Sequence, residues 1–215
     1  MVEYMDKTVG KIVKKVDALG ELENTLIIFT ADNGTHTSIT SQWNNQQIKG
    51  GKGGMKDMGT HVPLIAYWKG KTADGSVLSD LVDFTDFYPT VAEVAGIQLG
   101  KSDPTDGRSF LPRLRGEKGN PRDWALCHYQ PYWNKKPGQF ARTQQYKLYR
   151  DGRFFSIPND LKETNNLSKN ELKPEAKSAQ LKLQTALKQC PPAPRESLGK
   201  GVKDRPTYPK WPKIK

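Results

Sequence analysis

The sequence lacks any long hydrophobic run, and this absence limits the classes of protein to which it can belong. No apolar stretch approaches the roughly 20 residues that a membrane-spanning helix needs. Residues 1–16, MVEYMDKTVGKIVKKV, mix charged and apolar positions and contain no continuous hydrophobic segment of a secretory signal peptide. With 35% hydrophobic and 27% charged residues among 215, the chain is predicted to be a soluble globular protein with no membrane partner.

Cysteine and carboxylate side chains are both scarce. Cys127 and Cys190 stand far apart in no metal-ligand spacing, which argues against a zinc site and a disulfide framework. The 23 Asp and Glu residues are outnumbered by 34 Lys and Arg, and the net charge of +11 favours an anionic partner such as nucleic acid, acidic lipid or a polyanionic sugar. Nucleic acid is the least favoured of these, because no recognition module is visible.

The first hundred residues show the pattern of an α/β protein. Apolar residues recur every three or four positions over residues 2–19, which indicates an amphipathic helix that ends at Gly20. The apolar runs TLIIF at 25–29 and VPLIAYW at 62–68 predict strands, the first of them buried on both faces of a parallel sheet. Helix, turn and buried strand form an α/β unit.

A second helix is predicted within residues 83–96. Thr85 or Asp86 is the expected cap, Gly96 the expected stop, and Pro89 must lie in the first turn or kink the helix.

The later part of the chain predicts a small antiparallel sheet and a helix. Short strands are expected at 124–129, 146–150 and 153–157. Asp151-Gly152 is a hairpin-turn signal, and Pro174 is suited to the first position of a helix. The predicted organisation is an α/β part at 1–100, a connecting loop region at 101–122, the small subdomain at 123–190 and a basic, proline-containing tail at 191–215.

Candidate ligating groups follow the first predicted strand. Ligands in open α/β sheets collect beyond the carboxyl ends of the strands, where Asp32, Asn33 and Gly34 stand. A carboxylate and an amide carbonyl are hard oxygen donors of the kind that hold Ca²⁺ or Mg²⁺, although such a triplet is also common in plain turns.

A lysine surrounded by glycines is the second candidate. Lys52 lies between Gly50-Gly51 and Gly53-Gly54, where an ammonium and bare amide N–H groups could approach an oxyanion, although a flexible loop has the same composition. Together the two features suggest a metal-assisted reaction on a tetrahedral oxyanion ester.

Four segments in order resemble landmarks of the sulfatase family, within the alkaline phosphatase-like superfamily. They are NTLIIFTADNG, KGGKGGMKDMGTHVPLIAYWKG, DFYPTVAEVAG and RTQQYKLYRDGRFFSIPNDLKETNNL. The resemblance implies an incomplete alkaline phosphatase-like parallel or mixed sheet with helices, and hydrolysis of a sulfated sugar or aryl sulfate. It also implies that Asp32 and Asn33 ligate a divalent cation, usually Ca²⁺, and that Lys52 contacts the sulfate and stabilises the leaving oxygen.

Three histidines are weaker candidates. His36 could touch the substrate or the metal, or simply lie at the surface. His61, a candidate substrate-binding residue, stands where many relatives carry arginine, and His128 could line the substrate cleft from the small sheet or pack in the core.

The family hydrolyses its substrates with a formylglycine made within a C-x-P-x-R sequence, which this sequence lacks. CPPAPR at 190–195 has one residue too many. The chain therefore resembles the C-terminal portion of a sulfatase, and we expect it to be inactive alone and to bind Ca²⁺ weakly. A phosphate or phosphonate ester hydrolase, or a noncatalytic remnant that binds polyanions, are the alternatives. Periplasmic or extracellular residence is expected for the full-length parent, since most relatives are exported.

Overall fold

The computed structural model describes residues 1–129, 138–169 and 171–189, so the predicted tail and the CPPAPR segment lie outside the described residues. The helices are α1 Val2–Ala18, α2 Asp57–Thr60, α3 Phe87–Val94, α4 Leu111–Leu114 and α5 Pro174–Gln189. The strands are β1 Ile27–Thr30, β2 Thr40–Trp43, β3 Gln46–Lys49, β4 Leu64–Tyr67, β5 Ala125–Tyr129, β6 Gly138–Arg142, β7 Tyr146–Tyr149 and β8 Phe154–Ser156. Among these residues, no helix has the length and apolarity that crossing a bilayer requires.

Strands β1 and β4 pair with each other in the antiparallel direction. Ile27 lies opposite Tyr67, and Thr30 lies opposite Leu64. Every strand pair in the described part of the chain is antiparallel, so no parallel pair of the expected parallel or mixed sheet lies among these residues. Burial is also lower than the apolar run indicated, because all four β1 residues are only half-buried and Ile65 of β4 is 60% exposed.

Helix α1 forms as predicted, but its apolar face is only partly covered. The chain turns out of the helix at Gly20, whose φ of 74° suits a residue without a side chain. No residue of α1 is buried against the rest of the described chain, and Val2, Met5 and Ile12 are among its exposed apolar side chains. Val9, Val13 and Val16 are half-buried, so the rest of the described chain covers only part of the apolar face.

Strands β2 and β3 form an exposed hairpin that sequence analysis missed. Asn44 and Asn45 both have positive φ, at 47° and 60°, as a two-residue type I′ turn requires. At the base of the hairpin, the Gly50 N–H donates to the Ile39 carbonyl at 2.9 Å. The strands are TSQW and QQIK, whose polar composition gives no apolar alternation to detect.

The turn before helix α3 carries an unexpected cap. The Asp83 carboxylate accepts the Thr85 N–H at 3.0 Å, and Asp86 Oδ2 accepts the Asp83 N–H at 2.7 Å, which completes a capping box. Asp83 caps a short 3₁₀ turn at Phe84–Asp86, and Asp86, one of the two predicted residues, occupies the N-cap position of α3, although its side chain caps no N–H of that helix. Pro89 lies in the first turn of α3, as predicted.

The later strands form one antiparallel sheet in the order β5-β6-β7-β8, and helix α5 covers one of its faces. Alternating residues point to opposite faces. The face toward α5 contributes Ala141, Leu148 and Phe154 to a core with Leu183, Ala186 and Leu187. The opposite face carries Phe140, Tyr149 and Phe155 with Ile157. The predicted Asp151-Gly152 turn and the start of α5 at Pro174 are confirmed, whereas β6 is a strand that sequence analysis missed.

Candidate functional site

A broad cavity of about 1410 Å³ brings four of the predicted site residues together. Asp32, Asn33, Lys52 and His61 all line it. Its other walls come from β4, from the segment around α3 and from β5 and β6 of the small sheet. The site is therefore built between the α/β part and the small sheet.

Asp32 and Asn33 follow β1 directly, with Asp32 exposed and Asn33 half-buried. The described residues contain no group of three or more His, Cys, Asp or Glu side chains arranged to hold a metal. The carboxylate and the amide have the donor chemistry that Ca²⁺ and Mg²⁺ prefer, but they would fill only part of the six to eight oxygen positions of Ca²⁺. The pair fits one side of a hard-cation site.

The glycines around Lys52 allow two loops to lie backbone against backbone. The Lys52 N–H donates to the Thr35 carbonyl at 3.0 Å, and the Gly34 N–H donates to the Gly59 carbonyl at 3.0 Å. A Cβ on Gly34 would stand 1.9 Å from the Met58 carbonyl oxygen, closer than any packed atom can approach. Glycine is needed here for close approach, which fixes the Lys52 loop against the loop that carries Asp32 and Asn33.

His61 is held by a buried carboxylate. Its Nδ1 lies 3.0 Å from Asp57 Oδ2, and the His61 side chain is 68% exposed whereas that of Asp57 is 4% exposed. Burial alone would raise the pKa of Asp57, but the hydrogen bond with His61 and the charge of Arg142 outweigh it and lower that pKa. Asp57 is therefore an anion, and it holds the ring edge of His61 that bears Nδ1 toward itself.

A second buried carboxylate binds the loop from the other side. Glu163 accepts the Asp57 N–H at 2.8 Å and pairs with Lys147 at 2.9 Å, and it accepts a hydrogen bond from the Tyr149 hydroxyl. Burial lowers the pKa of Lys147 although Glu163 opposes the shift, and burial with the Glu163 hydrogen bond raises the pKa of Tyr149. Sequence analysis missed these residues. A lysine that shares an otherwise apolar strand face with Tyr149 was the available signal, because such a lysine requires a partner.

His36 and His128 do not line the cavity. His36 Nδ1 lies 2.8 Å from Ser38 Oγ, at the exposed base of the β2–β3 hairpin. His128 lies exposed on β5, with its Nδ1 2.6 Å from Gln139 Nε2. Their proposed contacts with substrate or metal stay predictions, as do the roles of Asp32, Asn33, Lys52 and His61.

Two family models match the chain. The one described as Sulfatase matches residues 1–97, and the one described as N-sulphoglucosamine sulphohydrolase, C-terminal, matches residues 51–191, which is more than half of the chain. Among curated relatives, arylsulfatase A of Homo sapiens is 37% identical over 147 residues, which are 67% of this chain and 28% of the relative. Steryl-sulfatase of Mus musculus is 34% identical over 134 residues, which are 60% of this chain and 22% of the relative.

A solved structure shares the fold. BT4656, determined in complex with its substrate D-glucosamine-2-N,6-O-disulfate, superposes with a TM-score of 0.67 at 25% identity, over 87% of this chain and 38% of that protein. The chain thus spans between about a fifth and two fifths of the length of these three proteins. The alkaline phosphatase-like α/β fold class is confirmed by this likeness. The matching models, the curated relatives and the shared fold together show that the chain belongs to the sulfatase family.

Proposed function

We propose that this chain carries the sulfate-contacting lysine and part of the metal site of a sulfuric ester hydrolase that acts on a sulfated carbohydrate. The observation that supports the proposal is the cavity shared by Asp32, Asn33 and Lys52. A carbohydrate is favoured over a steryl or aryl group for two reasons. The family model that covers most of the chain is named for N-sulphoglucosamine. BT4656, whose fold matches 87% of this chain, was determined with a sulfated glucosamine as its substrate.

Each residue has a distinct task in this scheme. The Lys52 ammonium binds a sulfate oxygen and stabilises the negative charge that develops on the leaving oxygen as the S–O bond breaks. Asp32 and Asn33 hold one side of a Ca²⁺ or Mg²⁺ ion, which when bound offsets the charge of the sulfate oxygens. The backbone bonds between the two loops keep these groups at a fixed separation.

The 215-residue sequence contains no C-x-P-x-R motif from which a formylglycine nucleophile could be made. We therefore expect the purified chain to bind a sulfated ligand without turning it over. Hydrolysis of 4-nitrophenyl sulfate by the purified chain, abolished in Lys52→Ala, would contradict this part of the proposal.

The binding part of the proposal is tested by titrating the chain with glucosamine 6-sulfate in a calorimeter. Lys52→Ala is expected to weaken binding about 10- to 100-fold, because hydrogen bonds to charged groups contribute roughly 1.5–3 kcal/mol. Lys49→Ala is the matched control. Lys49 lies three residues before Lys52, carries the same charge, is exposed and does not line the cavity.

Equal losses in both lysine variants would show only general charge attraction and would refute a specific sulfate contact. Titration with glucosamine 6-phosphate separates the two esters, and tighter binding of the phosphate would favour a phosphate ester hydrolase.

A further inference from the structure

The segment that follows Lys52 is attached, at three consecutive residues, to the small sheet and to the loop after β8. The Met55 carbonyl accepts a hydrogen bond from Lys147 Nζ, and the Tyr149 hydroxyl, which donates to Glu163, lies 3.3 Å from the same carbonyl. Lys56 Nζ donates to the Lys162 carbonyl at 2.7 Å. The Met55 side chain packs against the apolar cluster on the sheet face opposite α5, so both polar and apolar contacts hold the segment.

The third attached residue, Asp57, has more partners than the other two. Its N–H donates to Glu163 at 2.8 Å, its Oδ1 accepts from Arg142 of β6, and its Oδ2 lies 3.0 Å from His61 Nδ1. Glu163 and Asp57 are 106 residues apart in the sequence. The Asp57 carboxylate thus joins β6 to a histidine of the cavity, and the Asp57 N–H joins both to the segment after the small sheet.

The segment between Lys52 and Asp57 is short, and backbone contacts restrict its movement. The Gly54 N–H donates to the Gly51 carbonyl at 2.9 Å, and the Gly59 N–H donates to the Lys56 carbonyl at 2.8 Å. A Cβ on Gly59 would stand 2.3 Å from the Gly54 carbonyl oxygen, so this segment is already in tight backbone contact. Displacement of Asp57 would therefore disturb the loop on both sides.

We infer that Asp57 is a positioning residue, through which the small sheet holds Lys52 and His61 at the cavity. The inference rests on the proposed function in taking Lys52 as the sulfate contact. Asp57 touches no substrate in this scheme. It acts on Lys52 through the loop, and on His61 by fixing the side of the ring that bears Nδ1.

Electrostatics provide a sharp test, because positioning and charge predict opposite effects. Asp57 is an anion beside a site for anions, so Asp57→Asn removes a repulsion and should strengthen sulfate binding if charge alone matters. If Asp57 positions Lys52, the same variant weakens sulfate binding, since the carboxylate that binds Arg142 and His61 is removed and the loop is held less firmly.

The experiment follows amide hydrogen exchange by NMR in the full chain, together with inorganic sulfate titration. In Asp57→Asn, we expect exchange at the Lys52 and Gly34 amides to accelerate at least tenfold, the factor that corresponds to losing one hydrogen bond to a charged group. The Tyr149 amide, which donates to the Arg153 carbonyl at 2.9 Å within the sheet, should keep its rate. Sulfate affinity should fall by a similar factor.

The matched control is Asp151→Asn, which removes a carboxylate from the same sheet at an exposed pair with Arg153 and should change none of these quantities. Unchanged exchange at Lys52 and Gly34 in Asp57→Asn, or tighter sulfate binding, would overturn the inference. Equal acceleration at Tyr149 would also overturn it, because Asp57 would then support the sheet as a whole. If the unmodified chain and Lys52→Ala bind sulfate equally, the proposed function fails, while the exchange rates still decide the positioning role.

Discussion

Replacing Glu163 by Gln should destabilise the protein strongly, although the two side chains have nearly the same shape. Glu163 is 1% exposed and pairs at 2.9 Å with Lys147, which is 0% exposed. The substitution keeps an acceptor for the Asp57 N–H and removes the countercharge of a lysine that no solvent reaches. Phe140 and Tyr149 lie below that ammonium, at 4.0 and 5.1 Å from its nitrogen to the ring centroids, but they do not neutralise it.

The expected loss follows from the burial of both groups. Removing one partner of a buried ion pair costs about 3–5 kcal/mol, because the remaining charge is desolvated without compensation. Whole domains are stable by only about 5–15 kcal/mol, so Glu163→Gln should remove a large share of the stability. An exposed pair contributes at most about 1 kcal/mol, which is the loss expected for Asp151→Asn beside Arg153.

Urea unfolding followed by far-UV circular dichroism measures these free energies. The double variant Lys147→Met with Glu163→Gln should lose less stability than the two single variants together, because it removes both charges and leaves no unpaired charge buried. A loss below about 1 kcal/mol in Glu163→Gln would refute the reasoning, since that value belongs to solvated pairs. Strict additivity in the cycle would refute it as well.

Two further predictions concern the loop near Lys52. Gly59→Ala should lower the free energy of unfolding by about 1–3 kcal/mol, because the new methyl group meets two backbone carbonyls. Gly10→Ala in α1, where a methyl group meets nothing within 4 Å, should raise it by about 0.5–1 kcal/mol. Thermal unfolding compares the two variants, and equal shifts would contradict the close-approach argument. The stability contributed by Asp57 should be complete above its unfolded pKa of 3.8 and lost as the pH falls through the lower folded value, so acid unfolding of Asp57→Asn should lack this component.

The features that sequence analysis predicted correctly are those with local causes. The end of α1 at Gly20 and the turn at Gly152 each require a positive φ, which glycine signals by itself. Asp32, Asn33 and Lys52 were singled out by chemical type and order and line one cavity, while their roles stay predictions.

The features that it missed depend on contacts between distant residues. The apolar run of β1 does not encode the direction of its partner, and the antiparallel pairing with β4 is a tertiary result. Strand β6 begins at Gly138, which lies beside the Met55 side chain, and a glycine weakens the strand signal. The roles of Asp57 and Glu163 appear only when residues 106 positions apart come together.

The two ends of the exposed β2–β3 hairpin lie next to each other, which makes the hairpin a suitable place for protein engineering. The hydrogen bond from the Gly50 N–H to the Ile39 carbonyl closes the base of the hairpin. The length of the hairpin therefore does not set the spacing between the Lys52 loop and the loop that carries Asp32 and Asn33. Loop-closure cost rises by only about 0.6 kcal/mol for each doubling of loop length. A peptide tag or a longer recognition segment inserted at Asn44-Asn45 would therefore extend from the exposed hairpin while Lys52 keeps its place.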